Sequence, residues 1–137
     1  MKRVVVDTNI IFAALRAKYS KVRAILDQGR YQFYTPNFLI AEIFKHKERI
    51  LRSSKSSEEE TYEYLIKTLN KLSFVNENII STGNFIAAYK LCKEIDEDDT
   101  PFVALSLELD CELWTKDEKL KEGLKRRGFN KFFEEPE

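Results

Sequence analysis

Acids stand at several places where this chain can put them to chemical use. Asp7 ends the apolar run "VVVD", Glu42 is the only charge among the apolar residues of "NFLIAEIF", Asp96 to Asp99 open "DEDDTP" with Asp99 nearest the helix that follows, and Asp117 follows "ELWTK". Oxygen-only donors at apolar borders suit one or two hard divalent cations. A cation would also relieve the repulsion among the four successive acids Asp96 to Asp99. Carboxylate-held Mg²⁺ or Mn²⁺ supplies what phosphodiester hydrolysis needs, namely an activated water, an in-line geometry and charge relief on the phosphoryl oxygens. No histidine, cysteine or serine constellation competes for such a role. The single histidine, His46, has no triad partners in view and reads as a surface helix residue or a modest phosphate contact rather than a general base. Cys92 and Cys111 lack ligand spacing and read as buried thiols of a reducing compartment.

Each acid also has a plainer account. Asp7 and Asp117 each sit just beyond a strand-like run and just before a helix-like one, where an aspartate serves as a cap. Glu42 can pair with Lys45 or His46 at the margin of its helix. The acids at 96–99 favour the positive end of a helix whose first position suits Pro101, with Thr100 as N-cap. Taken singly, a cap or an ion pair accounts for each one. Together they offer carboxylates to one edge of a sheet, where open α/β sheets bind ligands.

The elements that must position them follow from the apolar pattern. A strand is expected at 2–6, helical segments between 9 and 28 with Gly29 as the break, and a short strand at "YQFYT". Pro36 is expected to open a helix to about Leu51, and the serines and acids of "SSKSSEEE" to stop it and cap the next. That next helix, "EEETYEYLIKTLNKL", would bury Tyr62, Leu65, Ile66, Leu69 and Leu72 on one stripe. Then come an extended "SFVNENIIS", a helix from about Asn84 to Lys93, an almost wholly apolar helix "PFVALSLEL", a strand "CELWT", and a helix "DEKLKEGLKRRG" closed by Gly128. "FNKFF" is a candidate last strand. Strands alternating with helices imply a mainly parallel sheet between helical layers, and 137 residues suffice for a single domain at 1–137.

Lys plus Arg and Asp plus Glu each total 23, so global charge gives no support for nucleic-acid binding and local clusters must carry any such reading. Two clusters start soon after a proposed metal acid: "KHKERILRSSK", with Lys45, Lys47, Arg49 and Arg52, and "KLKEGLKRR", with Lys116 just before it. Either could track a phosphate backbone, or be a solvated helix face. Tyr19, Tyr31 and Tyr34 could stack bases or edge the core. Asp7 interrupts the N-terminal apolar run too early for a signal peptide, and no stretch approaches the ~20 apolar residues of a membrane span. A soluble, cytoplasmic protein without membrane contact is expected.

Four pieces in order, "VVVDTNII", "PNFLIAEI", "DDTPFVALSLEL" and "LWTKDEKL", resemble the PIN-domain nucleases, and in particular the ribonuclease toxins of VapC-like toxin–antitoxin pairs. The resemblance spans essentially the whole chain. It implies a three-layer α/β/α fold with acids converging at the C-terminal edge of the parallel sheet. The family's acids fall on Asp7, Glu42, Asp99 and Asp117, with Asp96 as an additional acid of the "DxxDTPFVAL" pattern. Thr8, Asn9 and Thr115 fall among the polar side chains that orient them. Many relatives have Asn in the last motif, whereas Asp117 keeps the charge. The implied activity is a metal-dependent endoribonuclease using Mg²⁺ or Mn²⁺, with RNA, an antitoxin protein and a second copy of the chain as partners.

Three rivals stand beside this reading. A haloacid-dehalogenase-like phosphohydrolase wants a second aspartate two positions after the first, where this chain has Asn9. A receiver domain also gathers acids around Mg²⁺ but needs strict five-fold β/α alternation, which the helix-rich stretch 36–72 opposes. In a non-catalytic binding module the acids would be caps only, and Mn²⁺ would not stabilise it.

Overall fold

Val4, Val5 and Val6 are wholly buried, as a strand covered on both faces requires. In the computed structural model, which describes residues 1–137, they form β1 (Lys2–Val6), with β2 (Tyr31–Pro36) on one side and β4 (Glu112–Trp114) on the other. β3 (Leu72–Val75) adds beyond β2, giving the order β3-β2-β1-β4 with every pair parallel. Val6 pairs with Trp114, so the ends of β1 and β4 are level. The Asp7 amide continues the ladder, donating to the Trp114 carbonyl at 3.3 Å.

Parallel strands need crossovers, and here the crossovers are helices packed on the sheet. α1 (Thr8–Arg16) follows β1 directly and buries Ile10, Ile11, Phe12, Ala14 and Leu15. It packs against α2 (Lys21–Asp27), α3 (Phe38–Lys45), α4 (Lys47–Ser53) and α5 (Glu58–Leu69). On α7 (Thr100–Leu109) every residue from Phe102 to Ser106 is buried, and the helix lies against β1, β2 and β4 with α6 (Thr82–Cys92) beside it. α8 (Glu118–Arg126) follows β4. A parallel sheet flanked by helices is thus the three-layer arrangement expected. α1, α3 and α8 all start just past the C-terminal ends of strands, which sets their first turns around one edge. No helix is long and apolar enough to cross a membrane.

Several boundaries differ from the sequence pattern. Pro36 closes β2, opposite Val75, rather than opening a helix. The ladder runs past it because Asn37 donates to the Val75 carbonyl at 3.2 Å, so the helix starts only at Phe38. That helix breaks at His46 (φ −109°, ψ 13°) into α3 and α4. α5 buries Thr61, Tyr64 and Thr68, and Leu65 and Leu69 of the expected stripe pack against the core, but Ile66 is 60% exposed. The inner stripe is thus rotated in part from the one predicted, and the buried Leu72 belongs to β3. "SFVNENIIS" holds β3 and a 3₁₀ turn at Glu77–Ile79, and α6 begins at Thr82 because the Ser81 hydroxyl caps it. Thr100 lies inside α7 rather than capping it. "FNKFF" makes a single bridge, Phe132 to Leu113, and its phenylalanines cover the outer edge of β4, a protected way to end a sheet. Phe133 packs on Tyr31 and Trp114 at centroid distances of 5.1 and 5.2 Å.

Phe102 ties the acidic edge to this core: it is 1% exposed, two residues into the helix that begins beside Asp99, and meets Phe38 of α3 at 6.3 Å. Phe102→Ala is expected to cost about 3–5 kcal/mol of unfolding free energy in urea titration. A loss under about 1 kcal/mol would mean that α7 is not anchored through this ring.

Candidate functional site

Asp7 is 2% exposed at the end of the central strand. One carboxylate oxygen, Oδ1, accepts from the Ile10 amide at 3.2 Å and caps α1. The other, Oδ2, is buried without any hydrogen-bond partner. The capping account is therefore correct for half of the group and leaves the other half unexplained, since an unpaired buried carboxylate oxygen is costly.

The remaining acids arrive from other elements. Asp117 caps α8, its Oδ1 accepting from Leu120 at 3.0 Å, and its own amide donates to the Thr115 hydroxyl at 3.1 Å. Thr115 is thereby a buried brace between β4 and α8. Glu42, half-buried on α3, accepts from the Thr8 hydroxyl at 2.7 Å, a bond between residues far apart in sequence. Asp96 Oδ1 accepts from Asp98 and caps the 3₁₀ turn Glu97–Asp99. Asp99 stands at the cap position of α7 but makes no capping bond, so its carboxylate is not used by the helix it precedes. All five acids line one cleft of about 290 Å³, together with Thr8, Asn9, Phe12, His46 and Arg49.

Their charges sense one another. Burial pushes the Asp99 carboxyl up to about 8, and Asp7, Asp96, Asp117 and Glu42 push in the same direction. Burial likewise raises Asp7 to about 7; the neighbouring Thr115 hydroxyl, which makes no full hydrogen bond to Oδ2, and the Ile10 amide offset part of this, while Asp117 and Glu42 add to it. Glu42 is raised by burial, eased by the Thr8 bond, raised by Asp98, eased by His46 and raised by Asp96. No group of three or more acid, histidine or cysteine side chains is arranged as a finished metal cage. The donor set nevertheless fits a hard cation, because Mg²⁺ keeps several waters and takes only one or two protein carboxylates. The unpartnered Asp7 Oδ2 is a ready ligand.

The basic residues separate. Arg49 lines the acidic cleft, and its guanidinium lies over the Phe12 ring at 5.9 Å. His46 meets the same ring edge-on at 5.9 Å from the hinge between α3 and α4, so it borders the acids rather than an open helix surface. Lys116 pairs with Glu135 at 2.9 Å and shares an adjoining hollow with Asn9, Arg16 and Asp117. Lys45 points to Asp98 at 3.7 Å. Lys47 and Arg52 do not line the acidic cleft, and neither do Tyr19, Tyr31 or Tyr34. Arg16 was not among the residues named from sequence, yet it borders both hollows flanking the cleft. Its signal was the spacing Asn9, Phe12, Ala13, Arg16, one face of a helix.

A PIN domain family model matches residues 5–134. Among solved structures, a chain in the crystal structure of VapBC2 from Rickettsia felis bound to a DNA fragment from their promoter has a TM-score of 0.66 at 16% identity, over 88% of this chain and 92% of that one. VapBC-1 from nontypeable Haemophilus influenzae gives 0.64 at 15% identity, over 90% and 93%. PAE2754 from Pyrobaculum aerophilum gives 0.61 at 14%, over 90% and 81%. Identities this low speak for the fold alone. A comparison with curated proteins found no match.

The raised carboxyls make stability depend on pH. The folded chain binds protons on Asp7 and Asp99 that the unfolded chain has released, so their contribution is full below about pH 4 and is lost as pH rises through about 7 and 8. In EDTA, wild type is expected to lose stability between about pH 5 and pH 8, and Asp7→Asn to lose roughly 1–3 kcal/mol less. Parallel pH profiles from urea titrations of the two proteins would contradict the burial of this charge.

Proposed function

The chain belongs to the PIN-domain family, whose members are nucleases that generally use divalent metals, and on that premise we propose that it is a metal-dependent endoribonuclease and the toxin of a toxin–antitoxin pair. The observation that carries the proposal is the buried, unpartnered Oδ2 of Asp7, a residue of the cleft that four further carboxylates line. Asp7, Glu42, Asp99 and Asp117 would hold Mg²⁺ or Mn²⁺, with Asp96 as a further ligand. When bound, the cation supplies Lewis acidity that acidifies water and offsets charge on the phosphoryl oxygens.

The chain's own residues do the rest. Thr8 fixes Glu42, Thr115 fixes the start of α8 beside Asp117, and the Ile10 amide fixes Asp7. Asn9 lines the cleft at the same level. Arg49, held on Phe12, is the cation inside the cleft and would contact the phosphate undergoing cleavage. Lys116 would hold the strand beside it, and Lys45, Lys47 and Arg52 would meet it farther along α3 and α4. The likeness to chains of VapBC complexes supports an antitoxin partner. We extend the reading to RNA as substrate, a homodimer, one domain over 1–137 and a cytoplasmic setting. The non-catalytic alternative, caps alone, leaves Asp7 Oδ2 and Asp99 without a purpose.

Two measurements test this. Mn²⁺ near 100 times its dissociation constant is expected to stabilise wild type by about 2.7 kcal/mol and to raise its melting midpoint, with a smaller effect on Asp99→Asn. Identical midpoints with and without millimolar Mn²⁺ would oppose a metal site. On a panel of structured RNAs, wild type is expected to cut in Mg²⁺ or Mn²⁺ and not in EDTA. Asp7→Asn, which keeps an acceptable helix cap, is expected to fold and to lose activity by orders of magnitude. Equal cutting by the two proteins, or cutting that persists in EDTA, removes the assignment.

A further inference from the structure

We propose a second RNA subsite, a phosphate-binding notch between α8 and the turn that precedes Asp96, over which the substrate backbone continues after leaving the acidic cleft. It rests on the nuclease reading and adds to it the path of the flanking strand. The notch encloses about 410 Å³, lined by Lys119, Glu122, Gly123, Arg126 and Arg127 on one side and by Glu94 and Ile95 on the other. Each wall adjoins a cleft residue in sequence: Ile95 immediately precedes Asp96, and Lys119 lies two residues after Asp117.

The cations around α8 divide by what they touch. Lys121 and Lys125 each place Nζ 5.7 Å from the Phe132 ring. Arg127 is held by Glu94 at 2.7 Å. Lys119 and Arg126 engage neither an acid nor a ring, although Glu122 stands one turn before Arg126 in the orientation that favours pairing. Lys119 is exposed in the first turn of α8, where a cation opposes the helix dipole. An anion bound there would satisfy both. The floor is equally particular. Glycine inside a helix is unfavourable relative to alanine, yet a Cβ on Gly123 would lie 2.6 Å from Ile95 Cδ1 and 3.0 Å from its Cγ1. The bare glycine lets Ile95 seat on α8 and keeps the notch joined to the turn that carries Asp96.

The test is fluorescence anisotropy of a fluorescein-labelled phosphorothioate oligouridylate, which resists cleavage in Mg²⁺, with the full chain in Mg²⁺ across a KCl series. Lys119→Ala/Arg126→Ala is expected to bind about tenfold more weakly, with the slope of log affinity against log salt reduced by about 1.4 for two lost phosphate contacts. Lys119→Arg/Arg126→Lys is expected to bind as wild type does. Lys121→Ala/Lys125→Ala, which removes the same charge from the other face, is expected to leave the slope in place, and thermal melts report folding for every variant. Wild-type affinity and slope in Lys119→Ala/Arg126→Ala overturn the notch and leave the nuclease reading standing, as does an equal loss in both alanine pairs. A wild type that neither binds this oligomer nor cuts RNA overturns both.

Discussion

The acidic edge depends on the hydrogen bond from the Ile10 amide to Asp7 Oδ1, because it fixes a carboxylate inside the protein with one oxygen spent and one free. β1 is central and buried, α1 begins at the next residue, and the first turn of a helix offers amides that a cap oxygen satisfies. The same turn places the Thr8 hydroxyl on Glu42, drawing α3 toward the strand end. β4, in register with β1, brings Thr115 and Asp117 to the same level.

The arrangement sets folding against electrostatics. Apolar packing under the edge, with Phe102, Leu39 and Trp114 all nearly or wholly buried, forces carboxylates into a poorly solvated space. Coulomb repulsion and desolvation then act in the same direction on Asp99, which gathers contributions from four other acids. Natural proteins keep such a conflict where it serves chemistry. Here the surrounding cations do not resolve it from within. Arg49 lines the cleft but lies on Phe12, and Lys116, in the adjoining hollow, lies on Glu135, so neither is paired with a cleft carboxylate. That distribution shows how a chain of zero formal net charge can still gather its acids at one edge, with cations beside them.

Much of this was legible in the residues. Three valines before an aspartate, a lone glutamate in an apolar helix and an aspartate after "ELWTK" identified the strand ends and the acids that share the cleft. The resemblance extended over nearly the length that the family model matches. What was not legible depended on long-range geometry. Pro36 reads locally as a helix opener, but the ladder to Val75 extends the strand past it. The α5 stripe is rotated in part, so that Thr61 and Thr68 point inward, while the larger Ile66 faces solvent. His46 reads as a surface residue until the chain bends there and sets it against Phe12. Arg16 and Gly123 matter through neighbours supplied by other segments, which no local spacing contains.

The central claim is that a divalent cation completes the carboxylate edge at Asp7, and anomalous diffraction from a crystal soaked in Mn²⁺ tests it most directly. The expected result is a Mn²⁺ peak about 2.1 Å from Asp7 Oδ2, with Asp99 or Asp117 as a second protein ligand and water in the remaining positions. A peak bound elsewhere on the surface, or an Asp7 Oδ2 that remains without a partner at saturating Mn²⁺, would contradict it.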